Sequence, residues 1–169
     1  MAQVLAMKRQ LSERPPSPSV RGIRLRTFEG EEDVERWLEI RNRAFARETV
    51  GVRGWDRRDF LSDVQQKSWW RPDWCWFAET PASLLTGPIA VGTVILALRG
   101  ANRSDREAIP VVHWLSVAPR WRRRGIGHLL LSALEQAAWD AGYRSVALET
   151  HEAWNAAVQL YQARGYQTQ

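Results

Sequence analysis

Residues 118–142 read APRWRRRGIGHLLLSALEQAAWDAG. Before them an apolar, β-branched run, AIPVVHWLSVAP at 108–119, reads as a strand stopped by Pro119. Arg120, Arg122, Arg123 and Arg124 then crowd against Gly125, Ile126 and Gly127. The following helix carries Leu130, Leu134, Ala138 and Ala141 on one face, with Gly142 as its C-terminal stop. A strand, a tight glycine-bearing turn and a helix constrain the backbone strongly. The first N–H groups of the helix have no partner inside it and point out of the turn. They and the helix dipole form an anion site, and glycine lets an anion approach the backbone closely. Arginines beside such a nest add charge-assisted hydrogen bonds. The predicted occupant is one compact, highly charged anion such as a pyrophosphate.

The net charge of +5 and pI of about 10.1 raise the alternative of a nucleic-acid partner. Of the 24 basic residues only Lys8 and Lys67 are lysine, and the arginines are scattered from Arg9 to Arg164. With no reader motif and no contiguous patch, no nucleic-acid partner is expected. Cys75, the single cysteine, excludes an intramolecular disulfide and a cysteine-rich zinc site; between Trp74 and Trp76 it reads as a buried thiol. His113, His128 and His151 lack the spacing of a metal motif, so no metal is expected. No apolar run approaches the ~20 residues of a membrane helix, and MAQVLAMKRQLSERPPSPSVRG has no apolar signal-peptide core. The expectation is a cytoplasmic protein without a membrane partner. Residues 1–21 read as a flexible, basic, Pro/Ser-rich tail before a single domain at 22–169.

Alternation predicts strands at 22–28, 73–79, 88–99 and 144–150, besides 108–119. Helical spacing of Val34, Trp37, Leu38, Arg41 and Phe45 predicts a helix at 31–47, with acids in its first turn. Further helices are predicted at 56–66 and at 152–164, the latter ended by Gly165. Three antiparallel-patterned strands followed by a β-α-β unit predict a mixed α/β fold, not a doubly wound one.

Two stretches, LSVAPRWRRRGIGHLLL and VALETHEAWNAAVQLYQARGY, together resemble the signatures of the GNAT superfamily of acetyl-CoA-dependent N-acetyltransferases. The likeness is specific over about 108–166 and topological over 22–100. It implies a GNAT-like mixed sheet with helices on both faces, with acetyl-CoA as cosubstrate. Leu115, Ser116 and Val117 would end the family's fourth strand and pair with the pantetheine arm where the fifth strand splays away. Arg122, Arg123, Arg124, Gly125, Ile126, Gly127 and His128 would hold the pyrophosphate. The family's cofactor-contacting Asn falls on Trp154, with Asn155 one position late as the remaining candidate. After GYQTQ the final strand is short or missing, which would leave the fifth strand with an open edge. A homodimer covering that edge is the expected partner.

The resemblance also implies the chemistry: acetyl transfer to a primary amine of a small molecule, a protein N-terminus or a side chain. Tyr161 aligns with the general acid. Glu149 matches a base of the family's ribosomal-protein alanine acetyltransferases; at the end of an apolar strand its basicity would rise by desolvation. His113 is the second base candidate and His151 the third. Around the acceptor, residues 47–76 offer Trp55, Trp69, Trp70, Trp74 and Trp76 as pocket walls or core, and Asp56, Asp59 and Asp73 as ammonium partners. The alternative function is a non-catalytic GNAT-fold module that binds acyl-CoA or bridges partners.

Overall fold

The computed structural model describes residues 3–48, 50, 52–100 and 107–169. In chain order its elements are β1 (Val4–Gln10), β2 (Arg24–Thr27), α1 (Glu31–Phe45), α2 (Arg57–Phe60, continued by a π-turn over Leu61–Gln65), β3 (Cys75–Thr80), β4 (Ile89–Arg99), β5 (Ile109–Val117), α3 (Ile126–Asp140), β6 (Ser145–His151), α4 (Asn155–Ala163) and β7 (Gln167–Thr168). The strands form one sheet in the order β2-β3-β4-β5-β6-β1-β7. Strand alternation supplies two cores, one on each face. Cys75, Phe77 and Ile95 point to one face and pack under α1 and α2 against Val34, Trp37, Leu38, Phe60 and Val64. Trp76, Ala78, Val94 and Leu96 point to the other, beneath the apolar stripe of α3, where Leu130, Leu134 and Ala138 are fully buried. Each large side chain so buried is worth roughly 1.5–3 kcal/mol. No described helix is long and apolar enough to cross a membrane.

Two irregularities open the middle of the sheet. In the β4–β5 ladder Thr93 faces Ser116 and Ile95 faces His113, so Trp114 and Leu115 together oppose the single Val94. Trp114 absorbs the extra residue with φ of 49°, an uncommon value for a bulky side chain. Parallel β5 and β6 are in register at Val111 and Ala147, and no further pair along the two strands is bridged. Beyond that point β5 stays on β4, its Val117 opposite Gly92, and the two central strands part.

The first 21 residues depart from the flexible tail expected of them. Residues 1 and 2 lie outside the described residues, but β1 pairs antiparallel with β6 from Val4 opposite His151 to Gln10 opposite Ser145. Its other edge takes β7, Met7 opposite Thr168 and Lys8 opposite Gln167. Met7 and Leu11 are buried. Arg9 donates to the fully buried Glu135 carboxylate on α3 at 2.6 Å; Tyr166 Oη donates to it at 3.0 Å, and Arg164 completes the set. A buried carboxylate held by two guanidiniums and a phenol is paired, as burial requires. Further along, Gln136 Nε2 donates to the Pro15 carbonyl at 2.8 Å, and Arg14 forks onto Asp140. The expected open edge of β6 is therefore covered by the chain's own β1, which removes the stated reason for a homodimer. The short final strand is β7, two residues long.

Candidate active site

Where β5 and β6 part, a cavity of about 1060 Å³ opens. Leu115, Ser116 and Val117 form one wall, Glu149, Thr150 and His151 the other. The start of α3 closes one end through Gly125, Ile126, Gly127 and His128, and α4 contributes Asn155, Leu160 and Tyr161. Arg122, Arg123 and His113 also border it. Of the catalytic and cofactor-binding candidates from the sequence, Arg124 alone is not on this lining: its guanidinium lies 4.7 Å over the Trp121 ring.

The arginine turn divides its labour in ways the pattern does not reveal. Gly125 is the N-cap of α3 at φ 84°, a left-handed conformation that glycine adopts without strain. Arg123 is also left-handed, at φ 66°. The helix ladder begins with Leu129 N donating to Gly125 O at 3.0 Å, and no side chain caps the earlier N–H groups. Successive unpaired amides of this kind are the nest expected for an anion. Gly127 lines the cleft and also makes room for α4, since a Cβ there would lie 2.8 Å from Leu160 Cδ2. Arg122 is turned toward carbonyls, donating from Nη2 to Ala44 O at 2.8 Å and from Nε to Val117 O at 3.2 Å. It bolts the turn to the end of α1.

Tyr161 is buried at the cleft, and burial raises its pKa well above that of free tyrosine. Glu149, expected in an apolar setting, instead stands 58% exposed with Arg99 Nη2 at 3.2 Å from its Oε1. His113 projects from the same face of the sheet as Val111, and its Nε2 is shut from solvent with no hydrogen-bond partner. Burial, and secondarily the Lys67 cation, push its pKa down to about 4. Burial also lowers His128. His151 Nδ1 accepts from Ala153 N at 3.2 Å, a turn contact. Asn155 opens α4 with Trp154 at the N-cap position.

The acetyltransferase (GNAT) family model matches residues 49–166. The chain belongs to this family. It is 32% identical over 161 residues to a mycothiol acetyltransferase of Thermobispora bispora, a match covering 95% of this chain and 52% of that one. It spans about half the length of the curated relatives it matches. A GCN5-related N-acetyltransferase from Sphaerobacter thermophilus superposes with a TM-score of 0.76 at 24% identity, over 99% of this chain and 49% of that one. An aminoglycoside N-acetyltransferase solved in complex with CoA gives 0.62 at 18% identity, over 88% of this chain and 92% of that one. Both structures share the GNAT fold with this chain.

Beside the main cleft of this GNAT domain lies an alcove of about 420 Å³. The two spaces share Arg99, Val111, His113 and Trp114 as a common border. Trp55 and Trp69 line the alcove. Of the other three tryptophans from residues 47–76, Trp74 and Trp76 are core and Trp70 packs edge-on against Phe28 and Phe60. Thr49 and Gly51 lie outside the described residues. Asp56 caps α2, Asp59 is forked by Arg53, and Asp73 by Arg71, so these acids serve local structure rather than a ligand. Arg41 is the hidden support of the pocket. Buried, it lies 4.6 Å over the Trp55 ring and 4.3 Å over Trp114, with Nη1 donating to Arg53 O at 2.7 Å. Burial, and secondarily the Arg53 cation, lower its pKa to about 10. Asn42 clamps the Trp55 backbone from both sides, accepting from its N–H and donating to its carbonyl at 2.9 Å each. Trp114, Lys67 and Arg99 are not among the sequence candidates: Trp114 and Arg99 sit in ordinary strand patterns and Lys67 in the bend after the π-turn, with no local signal.

Proposed function

We propose that this chain transfers the acetyl group of acetyl-CoA to the primary amine of a small molecule. The observation that carries the reading is the continuity of one cleft. An uncapped helix N-terminus built on two left-handed residues stands at one end, and a buried tyrosine lies on the wall. The residues present fit acetyl-CoA: the nest suits a pyrophosphate, and splayed β5 offers strand backbone to an extended pantetheine arm. Acetyl-CoA supplies an activated acyl thioester when bound. The backbone at residues 115–117 and 125–128 binds and orients, and N–H groups near Val117 stabilise negative charge on a carbonyl oxygen. Tyr161, kept protonated by burial, is suited to give a proton to a departing thiolate. Glu149 receives the amine's proton: it is solvent-accessible, whereas an imidazole with a pKa of about 4 holds a proton too weakly for the task.

The test joins thermal denaturation with thiol release. CoA raises the melting temperature, and at least one small primary amine accelerates thiol release from acetyl-CoA above the rate in buffer. Stabilisation by CoA with no amine-dependent turnover supports the non-catalytic acyl-CoA-binding reading. No stabilisation by CoA overturns the cofactor assignment.

A further inference from the structure

Ala97 of β4, Val111 of β5 and Ala147 of β6 lie side by side across the sheet. Such small side chains in one row leave a shallow floor. Two positions on, β5 and β6 carry His113 and Glu149 on that same face; two positions on in β4 stands Arg99. Arg99 reaches over β5 to Glu149. Above the floor hang Trp55 and Trp69, and Trp114 stands at the side, its ring fixed by the Arg41 stack. The space is walled by three tryptophan rings, which suit an aromatic ligand body, and is continuous with the cleft at His113.

Its charge is asymmetric. Lys67 and Arg99 line the alcove, against the single carboxylate of Asp63. The Lys67–Asp63 contact is loose, at 4.0 Å with both side chains about half exposed. Arg99 leans out to Glu149 with half of its side chain in solvent. Neither cation is held in a buried pair, so each is free to turn to a stronger acceptor at low cost. A ligand carboxylate between them would gain charge-assisted hydrogen bonds inside a partly desolvated, aromatic-walled space. We propose that the alcove binds the body of the acceptor, and that this acceptor is a primary amine with a flat apolar body ending in a carboxylate. The carboxylate is held by Lys67 and Arg99, and the amine is presented to the cleft beside Glu149. When Arg99 takes the acceptor's carboxylate it gives up Glu149, which is thereby unmasked only when the right acceptor is in place. The assignment rests on the acetyltransferase reading for its purpose but not for its test.

That test is equilibrium binding. The purified chain, saturated with CoA, is titrated with 4-(aminomethyl)benzoate and with its neutral isostere 4-(aminomethyl)benzamide, following tryptophan fluorescence. The benzoate binds at least about tenfold more tightly, as loss of a charge-assisted contact in a partly buried site implies. Lys67→Met and Arg99→Met each bring the ratio of the two dissociation constants toward one. Arg14→Met, whose guanidinium pairs with Asp140 outside the alcove, keeps the parent's ratio. Equal or inverted affinities in the parent overturn the proposal, as does a preference that survives both alcove substitutions. Carboxylate-selective binding without any acetylation supports the site and counts against the acetyltransferase reading, so the two fail separately.

Discussion

The nest before α3 and the alcove beneath Trp55 hold opposite ends of one cleft, and they are made of different material. The nest is backbone, drawn from a continuous stretch at residues 119–128, and its geometry follows from where a helix starts and where left-handed residues sit. The alcove is side chains: Lys67 after the π-turn, Trp55 before α2, Arg99 at the end of β4, Trp114 at the β5 bulge. The first kind of site tolerates almost any side chain at most of its positions, provided the chain turns correctly. The second changes its ligand with each substitution while the fold stays as it was. On the proposed function, one scaffold builds its donor end from backbone and its acceptor end from side chains that can be exchanged.

Substitutions that separate the two ends test this division. The largest effect is expected from Gly125→Val. A β-branched residue at φ 84° is strained and crowds the nest, and the same Cβ would approach Val20 at 3.5 Å. The CoA-induced rise in melting temperature disappears, while 4-(aminomethyl)benzoate still changes the fluorescence; if CoA stabilises this variant like the parent, the nest is elsewhere. Next comes Tyr161→Phe, which deletes one oxygen on the cleft wall. Turnover falls by about 10²-fold with CoA affinity nearly kept, the range for loss of a general acid; full activity would make Tyr161 a packing residue.

A smaller effect concerns stability against pH on the acceptor side. Folded, His113 stays neutral down to about pH 4; unfolded, it takes up its proton near pH 6.5. Between those values the unfolded chain binds the extra proton. Its contribution is therefore fully present above pH 6.5 and lost as pH falls toward 4, by a total of about 3 kcal/mol. His113→Gln removes that slope from denaturation midpoints measured across the window; a slope unchanged in the variant assigns it to other groups. The smallest is Arg122→Met, which unties the turn from α1. Loss of two hydrogen bonds, one at the surface, costs about 1 kcal/mol in chemical denaturation. Full loss of CoA binding in this variant would instead make Arg122 a direct ligand of the anion.

Local patterning explains what was legible. The run from 108 to 166 carries its own punctuation: Pro119, Gly125, Gly142 and Gly165 bound elements whose apolar spacing is regular. Even there, nothing local shows that Gly127 also makes room for Leu160. β1 was not legible because its specification is remote. Of VLAMKRQ only Met7 is buried, and the prolines at 15, 16 and 18 give its surroundings the composition of a linker. What makes it a strand is β6, some 140 positions away, and the buried carboxylate of Glu135. Glu149 reads as desolvated at the end of an apolar strand but stands exposed beside Arg99, an arginine that the local pattern does not show because its strand is not adjacent to β6. Five tryptophans at 55–76 look alike in the sequence, and only packing separates the alcove walls, Trp55 and Trp69, from the core.

The position of β1 also orders events in time. It precedes every other described strand in the chain, yet its hydrogen-bonding partners, β6 and β7, follow all the others. A ribosome releases it early, and it waits through the synthesis of β2 to β5 and α3 before an edge exists for it to join. Closing so long a loop is slow relative to hairpin formation. Until it closes, the far edge of β6 is an unpaired template that any extended segment of another molecule can occupy. The late arrival of this early strand is thus a late step of sheet assembly, which only β7, pairing on β1, can follow, and the point at which two copies folding at high concentration would most readily exchange strands.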